Sequence, residues 1–326
     1  MSYTRTVTLQ VPAAEAFALV TEPERLRRWS SITALVDLRA GSDFRWTVTP
    51  GHIAAGKVRE VEPGRRVVLG WGWEDAEDLP PDASTVTITI TPTDGASSTV
   101  TLEHSGLTPE QAERHAVGWT HYLDRLEQLA AAGDAGPDEW VAVPDPLDAL
   151  GVAEATLASL LRVLRGVTDQ DAPTPCDEFD AHALALHLLG SIRQLGGLAG
   201  TEVSDPPDGT LEDRVATVAG QALESWRARG TGGTVEGPGG KRSATWPVTV
   251  LAIEFLLHGW DLAESSGQAI DVSDEVVTWL DEQGRALIAQ GREGGVFGAE
   301  VTPTTDAALS RLVAYSGRRP LPSSSP

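Results

Sequence analysis

Glu254 and His258 sit in "AIEFLLHGWDLAESSGQ" (Ala252 to Gln268), four residues apart within an otherwise apolar run. Glu254 is the only formally charged side chain between Arg242 and Asp261. An unpaired carboxylate in such a setting costs roughly several kcal/mol, so something must compensate it. On a helix, residues four apart lie about 40° apart around the axis, which stacks the carboxylate and the imidazole on one face. One divalent ion held by both would neutralise the charge. "LALHLLG" (Leu184 to Gly190) offers a third donor, His187, equally isolated among apolar residues. Two histidines and one glutamate leave a coordination position open, as reactive zinc sites do and closed structural sites do not. Zinc is the preferred ion because imidazole and carboxylate suit it; nickel or iron would accept the same donors. The spacing equally serves a buried, hydrogen-bonded Glu–His couple with His187 as a lone core histidine. Asp261 could orient a ligand histidine or cap the next turn. Cys176 is either a thiol near the site or a small buried residue, and Asp180 suits a helix N-cap.

The elements that must carry these residues are helical. Leu147 to Val167, Ala181 to Ala199, Thr210 to Arg229, Val248 to Ser265 and Ser273 to Gln290 read as helices, with a last one near Asp306 to Ser316. "SDPPDGT" and "GTGGTVEGPGGK" read as loops between them. Residues 133–146, rich in Gly, Pro and Asp without a clear period, read as a linker. Upstream the period changes to two. "TVTITI" (Thr85 to Ile90) and "STVTLEH" (Ser98 to His104) alternate polar and apolar around a "TDGAS" turn. Phe44, Trp46 and Val48 share one face of another run, as do Leu69, Trp71 and Trp73. "PAAEAFALVTEPERLRRWS" reads as a short helix broken before Pro23. Thr108 to Ala132 reads as a long helix opened by the capping box "TPEQ". His52, His104, His115 and His121 are scattered without ligand spacing, and a lone histidine such as His104 fits a satisfied polar group.

The chain has 326 residues, 41% hydrophobic and 22% charged, which suits a soluble protein of two domains. Its net charge of −22 argues against nucleic acid or an anionic membrane as partner, since both select basic surfaces. With Cys176 as sole cysteine no intrachain disulfide forms. No stretch approaches the ~18 apolar residues of a membrane span, and the N-terminus lacks a signal-peptide run, so the cytoplasm is the expected location. The oligomeric state is not legible.

Residues 1–132, ending in "GWTHYLDRLEQL" (Gly118 to Leu129), resemble the START-like (SRPBCC) superfamily, its Aha1-type branch above all. The resemblance implies an α+β helix-grip domain: a curved sheet around a long C-terminal helix, often with an apolar ligand cavity between them. Trp46, Trp71, Trp73 and Trp119, with Trp29 and Phe44, could line such a cavity; they equally suit a plain aromatic core. The residues themselves carry no sign of an Hsp90-like partner.

Residues 147–320 resemble the DinB-like, mycothiol-dependent maleylpyruvate isomerase family through three blocks in order. These are "TPCDEFDAHALALHLLG", "EFLLHGWDLAESSGQ" and "FGAEVTPTTDAALSRLVAYSGRRP". The resemblance implies an all-α four-helix bundle and a divalent metal, typically zinc, held at the positions of His187, Glu254 and His258. In that family the metal activates the thiol of mycothiol, the co-substrate. The first block departs from the family's pattern at Phe179, where Trp is usual, and at His182. The expected function is a metal- and mycothiol-dependent transferase or isomerase acting on a small electrophilic molecule, with an appended apolar-ligand domain. The alternative is a non-catalytic binding protein, sensor or carrier, with a structural or vestigial metal site. Residues 321–326 are expected to form a disordered tail.

Overall fold

In the computed structural model, which describes residues 1–237 and 239–322, alternation builds the first part of the chain. In β6 (Ser84–Pro92), Ser84, Val86, Ile88 and Ile90 are buried while the intervening threonines are half-buried. In β7 (Ser98–Ser105), Ser98, Val100, Leu102 and His104 face the same way. With β1 (Ser2–Leu9), β2 (Thr33–Val36), β3 (Asp43–Thr49), β4 (His52–Glu62) and β5 (Arg66–Trp73) they form one antiparallel sheet, ordered β1-β7-β6-β5-β4-β3-β2. Register shifts between Thr47 and Thr49 and between Val58 and Glu60 mark bulges, which bend and twist a sheet. Helices α1 (Ala13–Thr21) and α2 (Pro23–Leu26) part at Pro23, as expected.

Helix α3 (Pro109–Ala132) starts where the sequence places it: Thr108 Oγ1 accepts from Gln111 N–H and the Gln111 side chain accepts from Thr108 N–H. Its face of Trp119, Tyr122, Leu123, Leu126 and Leu129 joins the inward residues of the strands in one core. An antiparallel sheet around a long closing helix is the helix-grip arrangement. Two strands, β2 and β4, escape the period-two reading. In β4, Ile53, Ala54, Ala55 and Gly56 are all buried, because both faces are covered and alternation has nothing to report. A Cβ on Gly56 would come within 1.8 Å of the Gly70 carbonyl oxygen, and one on Gly72 within 1.9 Å of the Pro80 oxygen. Only glycine admits that close approach.

Clustering of Cα positions divides the chain into two compact units, Met1–Asp138 and a second beginning at Glu139. The division falls inside the segment read as a linker. Residues 135–137 belong with the first unit, since Arg125 donates to the carbonyl oxygens of Ala135, Gly136 and Pro137. Helix α4 (Glu139–Ala142) belongs with the second, where Ser273 Oγ donates to Ala142 O at 2.8 Å.

The second unit is helical. Helices α5 (Ala149–Gly166), α6 (Ala181–Gly197), α7 (Leu211–Arg229) and α8 (Thr245–Ser266) pack in a closed ring, α5 on α7 and α8, α6 on α7 and α8. Asp148, Asp180 and Thr210 cap α5, α6 and α7 by accepting from backbone N–H groups. Helix α9 (Asp274–Glu293) packs on α8 and α5, and α10 (Ala308–Tyr315) on α9. Pressed by α5, α6 and α9, α8 is buried around most of its circumference, hence its nearly unbroken apolar sequence. The segment read as the loop "GTGGTVEGPGGK" is corrected in part: it holds a hairpin of β8 (Thr234–Gly237) and β9 (Gly240–Ser243). The sequence hides it because each strand is four residues long and Val235 alone is buried apolar. Residues 323–326 of the tail expected to be disordered lie outside the described residues. Leu321 N–H donates to Glu264 Oε2 at 3.3 Å.

Candidate functional site

Two helices of the ring, α6 and α8, supply the three residues singled out by spacing. Asp180 fixes the start of α6 through Ala183 N–H at 2.7 Å, and His187 stands two turns further on. Glu254 Oε2 lies 3.6 Å from His187 Nε2 and 3.5 Å from His258 Nε2. The imidazole rings meet edge to face, centroids 5.2 Å apart and planes at 82°. Ligands at ~2.0–2.1 Å in a tetrahedral site sit roughly 3.3–3.4 Å from one another, close to both glutamate–histidine distances, and the three ligand atoms all lie within 4.8 Å of one another. The Glu254 oxygen is buried without a hydrogen-bond partner, the condition in which a cation is most needed. The donor set therefore fits a divalent ion.

Electrostatics keep Glu254 anionic. Burial pushes the Glu254 carboxyl up, but His187 and His258 outweigh it and hold the group well below the usual carboxylate range. Burial lowers His258, yet Asp261 first and Glu254 second raise it above the ordinary histidine value. Glu254 is thus held as an anion, and a proton on His258 competes with a cation for it.

The orientation of His258 is set from behind. Its Nδ1 lies 3.0 Å from Asp261 Oδ2. A carboxylate accepts, so Nδ1 carries the proton and, in the neutral ring, Nε2 turns a lone pair toward Glu254. Arg318 Nε donates to both Asp261 oxygens at 3.0 Å, and Arg318 Nη1 to Ser316 Oγ at 3.3 Å. Arg318 Nη2 approaches His258 Nδ1 at 3.4 Å; with a proton on each nitrogen this is proximity rather than a bond. Asp261 is fully buried. The pair thus answers the choice left open for Asp261: it orients a candidate ligand. Arg318 was not singled out by sequence reasoning, although it belongs to the third block; an arginine pair after a glycine was the only available signal.

Gly317, just before Arg318, has φ +90°, and a Cβ there would meet Gly298 backbone atoms at 2.7 Å. Arg318 is aimed by a turn that only glycine makes. Phe179 stacks on His187 at 5.0 Å and 28°. Cys176, half-buried, shares a second group with His258 and Asp261, ligand atoms within 4.8 Å of one another. Arg318 already claims both Asp261 oxygens, so that side of His258 repels a cation. Burial, then Asp261, pushes the Cys176 thiol up.

In the first unit the four tryptophans do come together. Trp71 is the hub, with ring centroids 5.4 Å from Trp46, 5.9 Å from Trp73 and 5.1 Å from Trp119. Trp46, Trp71 and Trp119 are buried and Trp73 half-buried. The histidines beside them are saturated. Trp119 Nε1 donates to His104 Nδ1 at 3.1 Å; His104 Nε2 faces Ser84 Oγ at 2.8 Å; Ser84 donates to Trp71 O at 2.8 Å. Trp73 Nε1 donates to His115 Nε2 at 3.1 Å, and His115 Nδ1 pairs with Gln111 O at 2.7 Å. Burial, with His115 nearby, pushes His104 down to about 3, which suits a structural hydrogen-bond relay and not an acid–base group.

Residues 10–131 match the family model described as activator of Hsp90 ATPase homolog 1-like protein. Two uncharacterized proteins of Mycobacterium tuberculosis, one from each of two strains, are each 32% identical over 148 residues, 44% of this chain and 80% of theirs. An AHSA1-like protein of Rhizobium etli, solved in solution, is 38% identical over 43% of this chain and 88% of that one, with a TM-score of 0.37. DynU16, from the dynemicin biosynthetic locus, is 21% identical over 43% of this chain, with a TM-score of 0.39; the match spans about half of it, 51%.

Proposed function

Since the chain belongs to one family with its Mycobacterium tuberculosis relatives and carries an AHSA1-like domain at residues 10–131, we propose that it joins two small-molecule modules. The first binds an apolar ligand; the second is a DinB-like bundle that holds a divalent metal and works on thiols. The observation that carries the reading is Glu254 Oε2, buried, without a hydrogen-bond partner and 3.5–3.6 Å from two imidazole nitrogens.

His187, Glu254 and His258 would hold the ion, zinc by donor preference. When bound, such an ion lowers the pKa of a thiol or water that joins it. The chain does the rest. Asp261 and Arg318 keep the proton of His258 on Nδ1 and its lone pair on the ion's side. Phe179 fixes the His187 ring from one face. The raised Cys176 thiol stays protonated and does not compete as a nucleophile. Three donors leave room for an external thiol, and the sequence blocks imply mycothiol. The reaction class is transfer or isomerisation on a small electrophile.

Metal analysis and thermal melting with mycothiol test the reading. About one zinc per chain is expected, with mycothiol stabilising the zinc-loaded protein and not the metal-free one. A zinc-loaded protein indifferent to mycothiol would instead be a binding protein with a structural ion. A chain that takes up no metal would overturn the reading altogether.

A further inference from the structure

The two candidate histidine ligands are held by different means. His258 is hydrogen-bonded from behind by Asp261 at 3.0 Å. Metal-binding histidines usually rely on such a partner, which fixes both tautomer and ring orientation. His187 has none among the described residues: its Nε2 faces Glu254, and its ring contacts are Phe179 and His258. Its side chain is also the more exposed, at 38% against 7%. An imidazole left to water spreads over several rotamers, and ordering it is a cost that falls on metal binding. Phe179 supplies the restraint, its ring at 28° to the imidazole with centroids 5.0 Å apart.

Phe179 in turn needs a fixed backbone, because it sits outside α6, one residue before the cap Asp180. Thr174, 5% exposed, fixes it. Its Oγ1 accepts from Cys176 N–H at 3.1 Å and donates to Phe179 O at 2.7 Å. Cys176 O lies 3.1 Å from the same hydroxyl, whose single hydrogen serves one carbonyl at a time. That oxygen already accepts from Phe179 N–H at 2.8 Å. The ends of the turn are tied separately, Ala181 N–H to Ala172 O at 3.0 Å and His182 N–H to Gln170 O at 2.9 Å. One buried hydroxyl therefore closes the middle of the turn, and the Phe179 ring leaves it directly onto a candidate ligand. Helix capping does not account for the threonine, since Asp180 already caps α6 through Ala183 N–H.

We propose that Thr174 is a positioning residue for the metal site, acting through Phe179 to hold the His187 ring in its ligating orientation. This rests on the metal-site reading and adds to it how the more exposed ligand is aimed. The test measures zinc affinity of the full chain by competition with a chromophoric chelator. A melting curve of each metal-free protein checks folding. Thr174→Val keeps the shape of the side chain and removes the hydroxyl. It should weaken zinc binding about tenfold, the lower end of what losing a ligand's supporting partner costs, and Thr174→Ser should return to within about twofold of wild type. Phe179→Leu should also weaken binding about tenfold, whereas Phe179→Tyr, which keeps the flat ring, should stay within about twofold. Combining Thr174→Val with Phe179→Leu should cost no more than Phe179→Leu alone, because residues acting in series do not add. Should Thr174→Val not fold, the half-buried Phe179 pair decides, since Phe179→Leu at wild-type affinity removes the link to His187. Wild-type affinity in Thr174→Val and Phe179→Leu, or fully additive losses in the double variant, would overturn this inference and leave the metal-site reading standing. A wild type that takes up no zinc would overturn both.

Discussion

His187→Ala is the cleanest perturbation of the proposed metal site. The His187 side chain is 38% exposed, whereas that of His258 is 7% exposed. Truncating His187 removes a ligand and leaves little of the internal hole that a buried side chain would leave. The metal-free proteins should therefore melt close together, within about 2 °C. Zinc separates them. With both glutamate–histidine distances within about 0.1–0.3 Å of the ~3.3–3.4 Å of a tetrahedral site and the three ligand atoms all within 4.8 Å of one another, binding needs side-chain adjustment only. Free zinc at about 1,000 times the dissociation constant then adds roughly 4 kcal/mol. For a unit of this size that is about 8–16 °C in melting temperature. A site weakened a hundredfold keeps about 1.4 kcal/mol at the same zinc concentration, or roughly 3–6 °C. The assay is differential scanning calorimetry of wild type and variant, each with chelator and with buffered zinc. Two outcomes refute the reasoning: a wild type that zinc does not move, or a variant that zinc moves as far as the wild type.

Acid should loosen the first unit through His104. Its folded value is about 3 and its unfolded value about 6.5, so the unfolded chain takes the proton first. Stability then falls below pH 6.5, by about 1.4 kcal/mol per pH unit until the folded value is reached. Urea unfolding at pH 7 and pH 5 should show roughly 2 kcal/mol more loss in wild type than in His104→Gln; equal losses in the two would contradict it. Gly317→Ala should shift Arg318 away from Asp261 and weaken zinc binding about 10–100-fold, the usual effect of losing a ligand's supporting partner. Competition with a zinc chelator reads this, and an unchanged affinity would show that Arg318 does not orient the site. Limited proteolysis should cut first within residues 133–146 to give two stable fragments, and Arg125→Ala should speed the cut by freeing the carbonyls of residues 135–137. A chain protected throughout that segment would count against two independently stable units.

Much of this architecture is written locally. The Thr108–Gln111 box and the caps at Asp180 and Thr210 are short-range chemistry, so helix starts are legible within a residue or two. The alternation of β6 and β7 is legible because one sheet face meets the core. Where both faces are covered, as along β4, the pattern vanishes. In the second unit the same rule works in reverse. Because α8 is buried nearly all round, Glu254 and His258 stand out against the apolar residues of its middle. What was not legible is long-range. Arg318 lies 57 residues from the aspartate it holds, and no spacing rule spans that interval. The hydrogen bonds of Trp73 and Trp119 to His115 and His104 join strand to helix across the core. Sequence shows the aromatics and the histidines but not which nitrogen meets which.

The 57-residue separation has a consequence for biosynthesis. Domains generally fold from the N-terminus as the chain is made, so α6 and α8 emerge well before Arg318. A nascent chain can bring His187, Glu254 and His258 together while Asp261 still lacks its guanidinium partner. During that interval His258 is free to turn and a cation would be held loosely. With the proposed metal site, stable metal acquisition would wait until Arg318 has emerged and docked on Asp261. In expression work, a fusion or truncation that disturbs residues 316–318 would give protein that is folded, abundant and under-metallated.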